Sequence, residues 1–153
     1  MKTTYCITRY ICLTAVIFLA GCATYQPLQT PSGRPEVTIH GATKKDILDT
    51  IITQMLNDGW QKRKLSEHGV VVGRPTDKWE TILAYGSPSN NIPENQISFT
   101  LVDAGNNGVQ VFCSGAVITN AGSGFENVAE IVGGKFYTEA QAALEKLKLK
   151  MEK

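Results

Sequence analysis

Histidine is scarce in this 153-residue chain, and neither His40 nor His68 has a cysteine, an aspartate or the other histidine at metal-ligand spacing. His40 ends a short alternating segment and His68 falls in a turn, so both read as polar turn residues and no metal site is expected. No nucleophile elbow, phosphate-binding Gly/Lys loop or paired-carboxylate motif occurs, so no catalytic residue is assigned and no cofactor is implied. A charge excess is also missing: 15 basic residues face 14 acidic ones, a net charge of +1. That balance excludes nucleic acid as a main partner and a polybasic grip on membranes. No acidic residue occurs before Glu36, and the apolar run from Tyr10 to Ala20 falls short of the roughly 20 residues that span a bilayer.

What the first residues do contain is an export signal. Lys2 and Arg9 precede an apolar core of signal-peptide length, followed by small residues. Leu19-Ala20-Gly21-Cys22 resembles the lipobox of bacterial lipoproteins. The resemblance implies that residues 1–21 are a cleaved signal peptide and that the Cys22 thiol receives a diacylglycerol. Small residues before the cysteine let the extended backbone enter the processing enzymes, and the thiol is needed to form a thioether. The mature family form carries three acyl chains, and stable anchoring needs more than one. Ala23 stands where the retention rule for the inner membrane expects Asp, which implies the outer membrane, facing the periplasm. Cys6 and Cys12 would then leave with the signal and Cys22 would be alkylated. Cys113 remains as a single thiol without a disulfide partner, and its alternating apolar surroundings read as core.

Residues 22–35 hold three prolines, a glycine and small polar side chains, the composition of a flexible tether. Its 13 residues after Cys22 reach about 45 Å when extended. A single domain is expected over residues 36–153, and the mature chain from Cys22 carries 13 basic and 14 acidic residues once Lys2 and Arg9 are gone. Glu36 to His40 alternates as a strand. A helix follows, capped by Thr43 with Asp46 at the capping-box position, striped by Ile47, Leu48, Ile51, Ile52, Met55 and Leu56, and ended by Gly59. Trp60–Leu65 and Gly69–Gly73 read as a hairpin, and Trp79–Gly86 as a further strand.

Two longer strands flank Gly-Asn-Asn-Gly, where Asn107-Gly108 is the hairpin signal. Ile97, Phe99 and Leu101 share one face there, as do Val109, Val111, Cys113 and Val117. The segment from Asn120 to Gly134 reads as a glycine-rich loop leading into a short helix. Such an order would present backbone N–H groups to an anion, but the Lys-Ser/Thr of a phosphate loop is missing. A final helix is expected with Thr138 and Gln141 as capping box and Ala140, Ala143, Leu144, Leu147 and Met151 inward. Lys146, Lys148, Lys150 and Lys153 make its solvated C-terminal end.

The order β-α-β-β-β-β-β-α predicts an α+β two-layer sandwich: a mostly antiparallel sheet with two helices on one face. That topology resembles the helix-grip and TATA-box-binding-protein-like folds of outer-membrane lipoprotein domains, including the β-barrel assembly lipoprotein BamC. A ferredoxin-like split βαβ competes, but it would place the second helix between strands. The combination of GCA, a polar linker, PSGRPEVTI, a helix ending in GW, VVVGRP and ITNAGSGFE resembles a group of small bacterial outer-membrane lipoproteins. The resemblance covers the whole mature chain and implies its boundaries, without a mechanism.

Trp79 and Tyr85 alternate onto one face of their strand, and Phe125 sits on the glycine-rich loop; these three are the candidate binding surface. The expected function is a non-enzymatic, membrane-anchored envelope lipoprotein whose domain binds an envelope protein in the periplasm. The alternative is a carrier or sensor of a small apolar ligand held in a groove between sheet and helix. An enzyme acting on the cell wall ranks last, because it would need two converging acidic or histidine side chains.

Overall fold

The computed structural model describes residues 28–76 and 92–153. The signal region, Cys22 and the strand expected at Trp79–Gly86 lie outside them. Six strands and two helices follow one another as β1 (Glu36–His40), α1 (Lys44–Asn57), β2 (Gln61–Ser66), β3 (Gly69–Pro75), β4 (Glu94–Gly105), β5 (Gly108–Thr119), β6 (Asn127–Ile131) and α2 (Gly134–Met151). All strand pairs are antiparallel, in the order β1-β5-β4-β3-β2, with β6 beside the second half of β5. The fold is thus α+β in the expected element order.

Burial of one sheet face selects this arrangement. Val70, Phe99 and Cys113 are aligned across β3, β4 and β5, as are Leu101 and Val111. With Ile39 and Val109 they join Ile47, Leu48 and Ile51 of α1 and Leu144 and Leu147 of α2 in one core. Each such aliphatic side chain, fully buried, contributes about 1.5–3 kcal/mol. On the opposite face the same strands carry Gln96, Ser98, Thr100 and Ser114, so both helices pack on the apolar side only.

Local chemistry fixes the ends of α1. Thr43 has an extended backbone and its hydroxyl accepts from the Asp46 N–H. That hydroxyl also donates to the Asp46 carboxylate, which holds its pKa below the usual range. At the other end Gly59 is left-handed, its N–H donates to Leu56 and the Trp60 N–H donates to Met55, the double bond pattern of a Schellman stop. Leu56, expected inside, is about half exposed because it lies at the margin of the apolar stripe.

Several boundaries differ from expectation. The packed structure begins before β1: Thr30 and Gly33 close a turn, and Pro35 is buried with its carbonyl accepting from the Cys113 N–H. α2 begins at Gly134, so Thr138 lies inside the helix and is no cap. Burial of the preceding aromatics explains the extension, since Tyr137 is in the core and the Phe136 ring lies against Gly115. A Cβ at residue 115 would meet that ring at 2.6 Å, which is why glycine stands there. Gln141 is accordingly free for another task, described below, and Ala143 faces solvent. In the β4–β5 hairpin the left-handed turn residues are Asn106 and Asn107, whereas Gly108 is the first residue of β5. Asparagine tolerates that conformation well enough to replace the expected glycine.

Cys113 is buried and its thiol is pushed up to about 12 by loss of solvation. An unfolded thiol ionises near 9.0, so the native state loses this contribution to stability as pH rises from that value towards 12. At pH 8, Ellman's reagent should leave the native thiol untouched and titrate it promptly in guanidinium. Fast labelling of the native protein would contradict the packing.

Candidate functional site

A sheet edge exposes a row of unpaired backbone groups, and folded proteins usually defend such edges. The edge of β1 is closed by α2. The Gln141 side chain accepts from the Glu36 N–H at 2.9 Å and donates to the Glu36 carbonyl at 3.1 Å, as a neighbouring strand would. Farther along, the His40 N–H donates to the Glu152 carboxylate at 2.9 Å. The edge of β2 is guarded differently, by Lys62, Arg63 and Lys64 and by a register shift between Lys62 and Lys64.

β6 has neither protection. Val128 is 53% exposed, Val132 just beyond it is 78% exposed, and no described strand pairs with its outer side. The glycine-rich segment therefore leads into a strand, and the short helix expected after it is not formed. Val128 and Ile131 are β-branched residues that favour a strand, and pairing along β5 from Gly115 to Thr119 satisfies the backbone of the segment. With the helix goes the geometric basis for anion binding at that point.

The loop before β6 is built by its own polar groups. Asn120 and Gly122 are left-handed. The Ser123 and Glu126 N–H groups donate to the Asn120 and Ser123 carbonyls, and the Gly122 N–H donates to the Glu126 carboxylate at 2.9 Å. This framework holds Phe125 outward, 86% exposed. Of the three aromatic candidates Phe125 alone is described, and it is a surface group; Trp79 and Tyr85, like Leu19, Ala20, Gly21 and Cys22, lie outside the described residues. From Asn120 to Gly134 the only charged residues are Glu126 and Glu130, so this surface is acidic as well as apolar.

Beside the loop, on the sheet face away from the helices, lies a cavity of about 420 Å³ lined by Arg63, Glu94, Gln96, Ile118, Gly122 and Glu126. Arg63 and Glu94 form a two-pronged ion pair, with Nε donating to Oε1 at 2.8 Å and Nη2 to Oε2. The hydrogen bonds from Arg63 to Glu94 raise the guanidinium pKa further. The pair bridges β2 and β4 across β3, passing over Gly73, where a side chain would collide with the carboxylate. A second cavity, of about 470 Å³, lies along α1 beside Lys150 and is lined by Asp49, Thr50, Thr53 and Asn57 among others. Both are lined mainly by polar residues, and beneath α2 the space against the sheet is occupied by Leu144 and Leu147. Among the described residues no group of three histidine, cysteine or acidic side chains can hold a metal ion.

Sequence reasoning missed the Arg63–Glu94 pair because its members are 31 residues apart and meet only through the sheet register. Val128 and Val132 were legible as strand residues in NVAEIV, had the preceding glycines not suggested a helix start. No family of proteins, no curated protein and no solved structure matches the chain.

Proposed function

We propose that the chain is a lipid-anchored lipoprotein of the bacterial outer membrane whose domain binds an envelope protein in the periplasm. The lipobox-like Leu19-Ala20-Gly21-Cys22 supports the anchoring, with acyl chains on Cys22 and a tether that leaves the domain clear of the bilayer. One observation carries the binding role: Phe125, Val128 and Val132 are all largely exposed within eight residues of chain. A large aromatic held outward by a hydrogen-bonded loop loses little conformational entropy on binding, which is what a recognition anchor requires. The role is non-enzymatic, resting on the surface and requiring no reacting group.

A photo-crosslinking amino acid at position 125 of the lipidated full chain should capture one discrete envelope protein in intact cells. Phe125→Asp should lower the yield of a second crosslinker placed at Val132 by at least tenfold, since anchor residues of this kind are worth about 2 kcal/mol or more. Crosslinks from 125 to lipid alone, or to none of the envelope proteins, would refute the interaction role.

A further inference from the structure

We propose that the outer edge of β6 takes up an extended segment of the partner as an added antiparallel or parallel strand, and that this segment is basic and apolar. The inference rests on the interaction role proposed above and names its mode and the chemistry of its occupant. Three sheet edges are described, and two are closed by different means: Gln141 and Glu152 cap β1, and three cationic side chains with a bulge guard β2. Among the described residues no strand covers the outer side of β6, although it borders the same β5 whose first half is covered through β1.

Strand addition draws affinity from main-chain hydrogen bonds and specificity from alternate side chains. Here the alternate groups are known. Val128 and Glu130 are aligned with Ile118 and Ala116 of β5, with Val132 following, so an incoming strand meets apolar, acidic and apolar positions in turn. Glu126 and Glu130 have no cation within the segment from Asn120 to Gly134. A partner strand bearing Lys or Arg between apolar residues complements that order, since opposite charges directly across a strand pair attract. Pairing of β6 with β6 of a second copy would gather four carboxylates with no basic residue. β2 of a second copy has the right charge, but the irregularity at Arg63 spoils the hydrogen-bond spacing of its free edge.

The test uses the full lipidated chain with a photo-crosslinking residue at Val132, and at Leu65 on β2 as the control edge. Peptides crosslinked through position 132 should come from one protein and read as alternating apolar and Lys/Arg residues, with none from position 65. As a second measurement, amide exchange in β6 should slow at least tenfold with a heptapeptide alternating Val and Lys. The same peptide with Glu for Lys, or N-methylated along one edge, should have no such effect. Val128→Lys should abolish both signals while leaving the circular dichroism spectrum intact. Crosslinks to a second copy of the chain, or to an acidic segment, would overturn the proposal. If position 125 captures a partner while β6 amides stay unprotected by every peptide, strand addition fails and the interaction role stands. If no position captures a protein, both fail.

Discussion

Cys22→Ala is expected to abolish incorporation of labelled fatty acid and to release the chain from the carbonate-washed membrane fraction. The argument is one of cumulative burial. A single acyl chain of moderate length binds a bilayer with a constant of only about 10⁴ M⁻¹, so stable attachment depends on two or more chains acting together. On the lipoprotein reading proposed above, all of them would sit on one residue, on the Cys22 sulfur and on the new N-terminus made by cleavage there. Removing that sulfur would then remove the thioether, and with it the cleavage that depends on prior lipid addition. Among the described residues no helix is long and apolar enough to cross a membrane, and the apolar run from Tyr10 to Ala20 that an uncleaved chain keeps falls short of a span.

The folded domain should be indifferent to the change. The earliest ordered contact of the described chain that ties it to the core is the buried Pro35, 13 positions beyond Cys22. The denaturant midpoint of the Cys22→Ala protein should therefore match the parent, within the roughly 0.5 kcal/mol typical of distant surface changes. Unaltered fatty-acid labelling together with unaltered sedimentation would sink the lipoprotein assignment. A parallel drop in midpoint would show that the tether contributes to the fold.

Where periodicity and burial act on the same residues, the fold was readable in advance. α1 is such a case: its stripe, Thr43 cap and Gly59 stop are all local, and each depends on residues within one or two turns. The β4–β5 register is another, because alternate residues from Ile97 to Leu101 and from Val109 to Val117 can be buried together in only one alignment. Errors arose where a local signal was outweighed by a distant contact. Thr138 and Gln141 spell a capping box, yet Phe136 has a glycine on β5 to pack against, and Gln141 has the backbone of Glu36 to satisfy. Neither partner is visible within a helix-length window. The same holds for β6, where glycines that precede a helix in many loops here precede a strand, because half of β5 would otherwise lack a described neighbour on the side away from β4.

The candidate surface was legible in part for the same reason. Phe125 stood out as a large aromatic among glycines, and it is exposed. That the adjacent strand is open, however, is a statement about the other edges, and it emerges only when Gln141, Glu152 and the β2 lysines are seen closing them. Lipid attachment is the opposite case. That proposal rests on four consecutive residues and draws on no fold, whereas a mode of binding can be read only from the assembled sheet.

The second large effect concerns the ion pair that straddles β3. Arg63→Met is expected to destabilise the domain by about 2–3 kcal/mol, near the cost of leaving a poorly solvated acceptor without its donor in a pair whose cation is partly exposed. The two groups are not equally placed: the Glu94 side chain is 9% exposed and that of Arg63 is 39% exposed. Without Arg63, the carboxylate is left as an uncompensated charge with little access to water. Without Glu94, the guanidinium can turn to solvent, so Glu94→Leu should cost less, about 1–2 kcal/mol, which is near the value of a charged hydrogen bond. The double variant should be more stable than Arg63→Met alone, since the stranded charge is gone and a leucine can pack beside Ile118.

Gly73→Ala offers an independent route to the same result. Its Cβ would fall 1.7 Å from Oε1 of Glu94, so the carboxylate must leave the fork without either partner being mutated. Urea titrations of these variants measure the coupling, and additive single effects would show that the pair contributes nothing beyond its separate side chains. The residue that makes the bridge possible is the extra one in β2. The register shift between Lys62 and Lys64 re-aims Arg63 onto the outer face, where it reaches past β3 to β4. One irregularity thus spoils the β2 edge for pairing and clamps the wall of the cavity that the Phe125 loop adjoins.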